Sequence, residues 1–313
     1  MKSWLALLSL WFVCANLWAQ TSVWQPSAGH TQVPLWPGGV PDAQSVPGPE
    51  RVSSNPKELL AGKPVTAITN VSQPTMTAYP PKTSNTGTAV VVFPGGGFQV
   101  LAIDLEGTEI CDWLVSRGIT CVLLKYRVPS APYDWHCDCR PHNFQLPVPA
   151  LQDAQRTIRL VRFHAAQWHI DPHKVGVIGF SAGGFLVAET STQFKRPSYK
   201  PVDAADRQSA RPDFALAIYP GHLAHDDGTL NENVPVTRDT PPTFLVQAED
   251  DYVDGVNQSL VYYTALAKAR VPAQMHLYAH GGHAFGLRRT RSPVTGWPEL
   301  AEAWLRTLGM LPR

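Results

Sequence analysis

Short apolar runs, rich in β-branched residues and closed by glycine, proline or acidic residues, recur along this chain between stretches whose apolar positions repeat every three or four residues. Residues 89–93, 119–125, 174–178, 213–219 and 242–247 are largely apolar and predict buried strands. Residues 274–279 alternate only partly and predict one more. Leu151, Ala154, Ile158, Val161, Ala165 and Trp168 mark one apolar face of a helix. Asn257 reads as the N-cap of a helix bearing Leu260, Tyr263 and Ala267, and Pro298 opens a last helix that buries Leu300, Ala301, Trp304 and Leu308. Strands and helices in alternation predict an α/β fold, with a mostly parallel sheet flanked by helices on both faces. No internal repeat is evident.

The first 64 residues break this pattern. Lys2, the apolar stretch from Leu5 to Val13 and the small Ala19 predict a leader over residues 1–19 and an exported, periplasmic or secreted protein. Its apolar run is too short to span a bilayer, and no integral membrane span is expected. The bulky Val13 speaks against lipid attachment at Cys14. Residues 20–64 are rich in Pro, Gly, Ser and Gln and lack periodicity, which predicts an extended N-terminal arm along the surface, with Trp36 contributed to a rim. Residues 65–313 then form one domain. The 313 residues, 44% hydrophobic, suffice for a full core.

A net charge of +1, with no basic run, argues against nucleic acid as a partner. The ten tryptophans could stack on sugar rings, although core packing is the first reading of any one of them. Beyond the leader the chain keeps Cys111, Cys121, Cys137 and Cys139, an even set compatible with two disulfides in three connectivities. The string His136-Cys137-Asp138-Cys139-Arg140-Pro141-His142 also suggests a metal cluster, but its spacings are tighter than ordinary zinc sets and nothing downstream completes one.

Candidate chemistry centres on Gly179-Phe180-Ser181-Ala182-Gly183, directly after the strand predicted at 174–178. A serine between small residues at a strand-to-helix turn fits a nucleophile elbow, in which strained backbone exposes the hydroxyl. The motif alone is weak, because small residues recur in turns. Its surroundings strengthen it. The strand at 89–93 runs into Pro94-Gly95-Gly96-Gly97-Phe98, and the N–H groups of Gly96 and Gly97, with that of Ala182, are candidate oxyanion donors. The strand at 242–247 ends among four carboxylates; Asp251, trailed by Tyr252-Val253, is preferred as the acid, with Asp250 as runner-up. The last strand leads to His280-Gly281-Gly282-His283, where His283 lies amid glycines that let a loop reach across the sheet edge. His283 is the candidate general base and His280 its near competitor. The order Ser181, Asp251, His283 is that of α/β-hydrolase chains, and neither the chymotrypsin nor the subtilisin order fits.

Together with Lys125-Tyr126-Arg127-Val128-Pro129, Ala150-Leu151-Gln152-Asp153-Ala154-Gln155-Arg156 and Gly281-Gly282-His283-Ala284-Phe285-Gly286, these motifs make residues 65–310 resemble the acetyl xylan esterase and feruloyl esterase family of α/β-hydrolases. Phe185, where a histidine is common, and Ala284, where a glycine is common, depart from that pattern. The resemblance implies a serine esterase that removes acetyl or feruloyl groups from decorated xylan fragments through Ser181, His283 and Asp251. Its partner would be an acylated oligosaccharide or polysaccharide, and no metal or organic cofactor would be required. Two other readings are a serine peptidase of the same fold, which would need a means of holding a peptide, and a non-catalytic sugar-binding protein, which the complete Ser/Asp/His set opposes.

Overall fold

The computed structural model describes residues 23–129 and 146–312. In chain order the strands are β1 (Gln32–Pro34), β2 (Arg51–Leu60), β3 (Lys63–Thr69), β4 (Thr75–Tyr79), β5 (Ala89–Phe93), β6 (Val100–Ala102), β7 (Thr120–Lys125), β8 (Val175–Phe180), β9 (Ala215–Ile218), β10 (Thr243–Ala248) and β11 (Ala273–Tyr278). The helices are α1 (Glu109–Ser116), α2 (Val148–Phe163), α3 (Ala182–Thr192), α4 (Asn257–Lys268) and α5 (Trp297–Thr307). One sheet runs β1-β4-β7-β5-β8-β9-β10-β11, and a smaller one runs β2-β3-β6. Within the large sheet β1, β4 and β7 pair antiparallel, and every pair from β7 to β11 is parallel.

Burial explains why the central strands read as unbroken apolar runs. Every residue of β5, β7, β8, β9 and β10 is buried, as expected of parallel strands covered on both faces. Strand β11 lies at the sheet edge and is only partly buried, hence its incomplete alternation.

The N-terminal arm departs from expectation. Strand β1 extends the large sheet through pairing with β4, while β2 and β3 form an antiparallel hairpin, so residue 64 lies inside a strand rather than at a boundary. Trp36 is no rim residue. It is 5% exposed, its ring packs edge-on against Tyr199, and its Nε1–H donates to Asp153 Oδ1 at 2.8 Å. A three-residue strand among prolines and glycines offers too few positions to show a period.

Helix α2 carries Leu151, Ala154, Ile158 and Val161 of the predicted stripe but ends at Phe163, leaving Ala165 and Trp168 in the turns that follow, and its polar face is buried as well. Asp153 is salt-bridged to Arg127 at 2.9 Å, Gln152 accepts from the same guanidinium, and Arg156 binds Asp203 and Asp206. Val256, not Asn257, takes the N-cap position of α4, and no side chain caps it. In α5 the buried residues include Trp297, Ala301, Trp304 and Leu305, while Leu300 and Leu308 pack only partly against the core. Cys111 and Cys121 form a disulfide between α1 and β7. Cys137, Cys139 and the rest of the string 136–142 lie outside the described residues, as do Cys14 and the leader.

Candidate active site

The carboxyl ends of β5, β8, β9, β10 and β11 converge on Ser181, which is the usual location of a site on an open parallel sheet. Ser181 follows β8 directly and precedes α3, with φ 52° and ψ −120°, a conformation that non-glycine residues avoid. Space fixes its neighbours. A Cβ on Gly179 would strike the carbonyl oxygen of Gly183, and one on Gly183 would strike that of Phe93. The strain and the two bare glycines together turn the serine hydroxyl out at the top of the sheet.

The predicted partners meet there. The Ser181 hydroxyl donates to His283 Nε2 at 3.0 Å, and His283 Nδ1–H donates to Asp251 Oδ2 at 2.8 Å. Asp251 is buried and held from three directions: Oδ1 accepts from the backbone N–H of Val253 and Asp254, and Oδ2 accepts from Gln247 Nε2. Burial alone would lower the His283 pKa. The hydrogen bond to Asp251 and the charges of Asp254, Asp251 and Glu106 outweigh that and raise it.

Asp250 and His280 form a separate pair. Asp250 accepts from the backbone N–H of Gly281 and Gly282 at 2.8 Å each, and His280 Nδ1 lies 3.3 Å from its Oδ2, with the imidazole largely exposed. That pair anchors the histidine loop and does not reach Ser181.

On the other side of the serine, Gly95 N–H donates to Glu106, whereas the N–H groups of Gly96 and Gly97 donate to no group among the described residues. Ala182 opens α3, where a first-turn N–H has no intrahelical partner. Gly95, which leads into this pair, lies against Ser181, where a Cβ on it would fall 3.0 Å from the serine Cβ.

A BD-FAE family model matches residues 76–211. An acetylxylan esterase of Xylanibacter ruminicola is 31% identical over 213 residues, covering 64% of this chain and 41% of that protein. An endo-1,4-beta-xylanase B of Butyrivibrio fibrisolvens is 26% identical, over 66% of this chain and 34% of that protein. The chain thus spans less than half the length of these two relatives. Among solved structures, the acetyl ester-xyloside bifunctional hydrolase of Caldicellulosiruptor lactoaceticus is 30% identical with a TM-score of 0.69, covering 90% of this chain and 97% of that one. The chain belongs to the acetyl xylan esterase-like α/β-hydrolases. A Thermogutta terrifontis esterase, 23% identical with a TM-score of 0.62 over 78% of this chain and 91% of that one, shares the fold.

In this α/β-hydrolase three further groups border the Ser–His pair. Glu106 is buried and joins two loops: Oε2 accepts from Gly95 N–H at 2.7 Å and Oε1 from the Tyr219 hydroxyl at 2.8 Å. Burial holds the Glu106 carboxyl above its ordinary range. Tyr219 in turn packs edge-on against His283, with ring centroids 5.0 Å apart. Asp254 lies with Oδ2 3.5 Å from Ser181 Oγ and 3.9 Å from His283 Nε2. Asp254 was visible in the sequence as one of four clustered carboxylates, a pattern that ordinarily means a solvated loop. Nothing local distinguishes Glu106 or Tyr219.

The two departures from the family pattern also find their places. Phe185 is fully buried and meets Phe98 and His222 edge-on. Ala284 adopts φ 56°, the left-handed region that favours glycine, which accounts for the glycine common at this point.

Proposed function

We propose that this carboxylic ester hydrolase removes acetyl groups, and feruloyl groups where the pocket admits them, from decorated xylan or related polysaccharide fragments. Ser181 Oγ attacks the acyl carbonyl while His283 Nε2 takes its proton, and Asp251 fixes the ring in the tautomer that leaves Nε2 free to accept. The N–H groups of Gly96, Gly97 and Ala182 receive the developing oxyanion. Imidazolium then protonates the departing sugar alkoxide, leaving an acyl-Ser181 that water, activated by the same histidine, hydrolyses. The unbroken relay from Asp251 through His283 to Ser181 carries this reading. The xylan substrate is supported by the names of the relatives above.

An ester leaves as an alkoxide that one imidazolium can protonate, whereas cleavage of a glycosidic bond calls for two carboxylates placed across its oxygen. Purified protein is expected to release acetate from acetylated xylo-oligosaccharides with chain length unchanged in mass spectra. Ser181→Ala should lower kcat by about 10⁴-fold or more in a protein that still folds. Shorter oligosaccharides, or a variant that keeps a tenth of the rate, would refute the assignment.

We infer further that the enzyme works outside the cytoplasm. The leader-like residues 1–19 and the Cys111–Cys121 disulfide support this, since cytosolic thiols are kept reduced.

A further inference from the structure

Asp254 is too close to the reacting atoms to be a bystander. Its Oδ2, Ser181 Oγ and His283 Nε2 form a triangle with sides of 3.0, 3.5 and 3.9 Å. Asp251 engages the opposite, Nδ1, edge of the same ring, so the imidazole lies between two carboxylates. The two acids are also tied together. Asp254 N–H donates to Asp251 Oδ1, and Gln247 Nε2 bridges Asp251 Oδ2 and the Asp254 carbonyl oxygen. The Asp254 carboxylate is wedged against Gly221, where a Cβ would fall within 2.6 Å of both its oxygens. That contact leaves the side chain little room to swing away from the serine.

We propose that Asp254 is a positioning residue for His283: it faces the Nε2 edge, stabilises the imidazolium formed when Nε2 takes the Ser181 proton, and sets the pH at which the base becomes available. The proposal rests on the reading of Ser181 and His283 as the working pair. With His283 protonated, Nε2 can no longer accept from the serine, and Asp254 Oδ2 is the acceptor that remains beside Oγ. The resting acid form is then a closed cluster of imidazolium, hydroxyl and carboxylate.

The surrounding charges define what a test can resolve. Asp251 lies on the same loop, Glu106 comes from the turn before α1, Tyr219 follows β9, and His222 lies on the Gly221 loop. Burial drives His222 down to about 4, so it stays neutral through the relevant range. Among the described residues, no lysine or arginine pairs with Asp254, which pairs with His283. Burial pushes the Asp254 carboxyl up to about 6, the His283 charge opposing that rise. Removing a nearby anion destabilises imidazolium, so the pH at which His283 deprotonates must fall.

The test is Asp254→Asn, which keeps shape and removes charge. The imidazole resonances of His283, assigned by their absence in His283→Gln, are followed by NMR across pH, alongside kcat/KM on p-nitrophenyl acetate. Both the NMR midpoint and the acid limb should move to lower pH by about one unit, the scale expected for an opposite charge at this distance, with KM little changed. A midpoint that stays in place or rises overturns the proposal, whatever happens to the rate, because a merely structural side chain would lower activity without moving it. The NMR titration needs no turnover. Absence of ester hydrolysis would therefore count against the proposed function while the role of Asp254 is still read. Should Asp254→Asn not fold, Asp254→Ser removes the same charge and is judged by the same shift.

Discussion

Asp250 and Asp251 are adjacent in the chain, yet one is an exposed anchor for Gly281 and Gly282 and the other is a buried acceptor for His283. The difference yields a ranking. Asp251→Asn should reduce kcat by on the order of 10²- to 10⁴-fold, because an amide cannot hold the imidazole in the productive tautomer, whereas Asp250→Asn should cost far less. Steady-state rates on a soluble aryl ester check it, and the reverse order would move the acid to Asp250. Asp251 was legible because Tyr252-Val253 follows it at the end of a predicted strand. Asp254, three residues on, was not. Its burial depends on Ser181, 73 positions away, and on Gly221, and neither leaves a mark in the local sequence. Glu106 and Tyr219 were hidden for the same reason, since they meet across 113 positions.

Helix α2 shows how far periodicity carries at the scale of an element. Its apolar stripe was readable, but a three- and four-residue repeat cannot reveal that the arm and the segment around Asp203–Asp206 also cover its polar side. Burial drives the Asp153 carboxyl up, and Arg127 opposes that through its charge and hydrogen bonds. Trp36 completes the arrangement by donating to Asp153. Trp36→Ala should therefore destabilise the protein by about 3–5 kcal/mol, the range for deleting a buried aromatic, with the lost donor to Asp153 favouring the upper end. Urea midpoints of the variant and the parent measure this. A change under about 1 kcal/mol would mean that the arm contributes little to the fold.

Over the whole molecule, the parallel strands were legible because covering both faces forces near-continuous apolar runs, and motif order then pointed to Ser181, Asp251 and His283 after the strands now seen as β8, β10 and β11. Strand β1 and the β2–β3 hairpin were not, being short or polar and stabilised by partners later in the chain. The Cys111–Cys121 bridge closes a short loop, with a sequence separation of 10. Cys121→Ser should lower stability by about 2–3 kcal/mol or more under oxidising conditions, read as a shift in the denaturation midpoint that narrows, when both proteins are fully reduced, to the cost of a hydroxyl at this buried position. The link between Trp36 and Asp153, 117 positions apart, has a further consequence in time. A chain made from its N-terminus presents the indole long before its acceptor exists. The arm thus cannot dock until synthesis has passed Asp153, and a protease met during that interval would find it undefended.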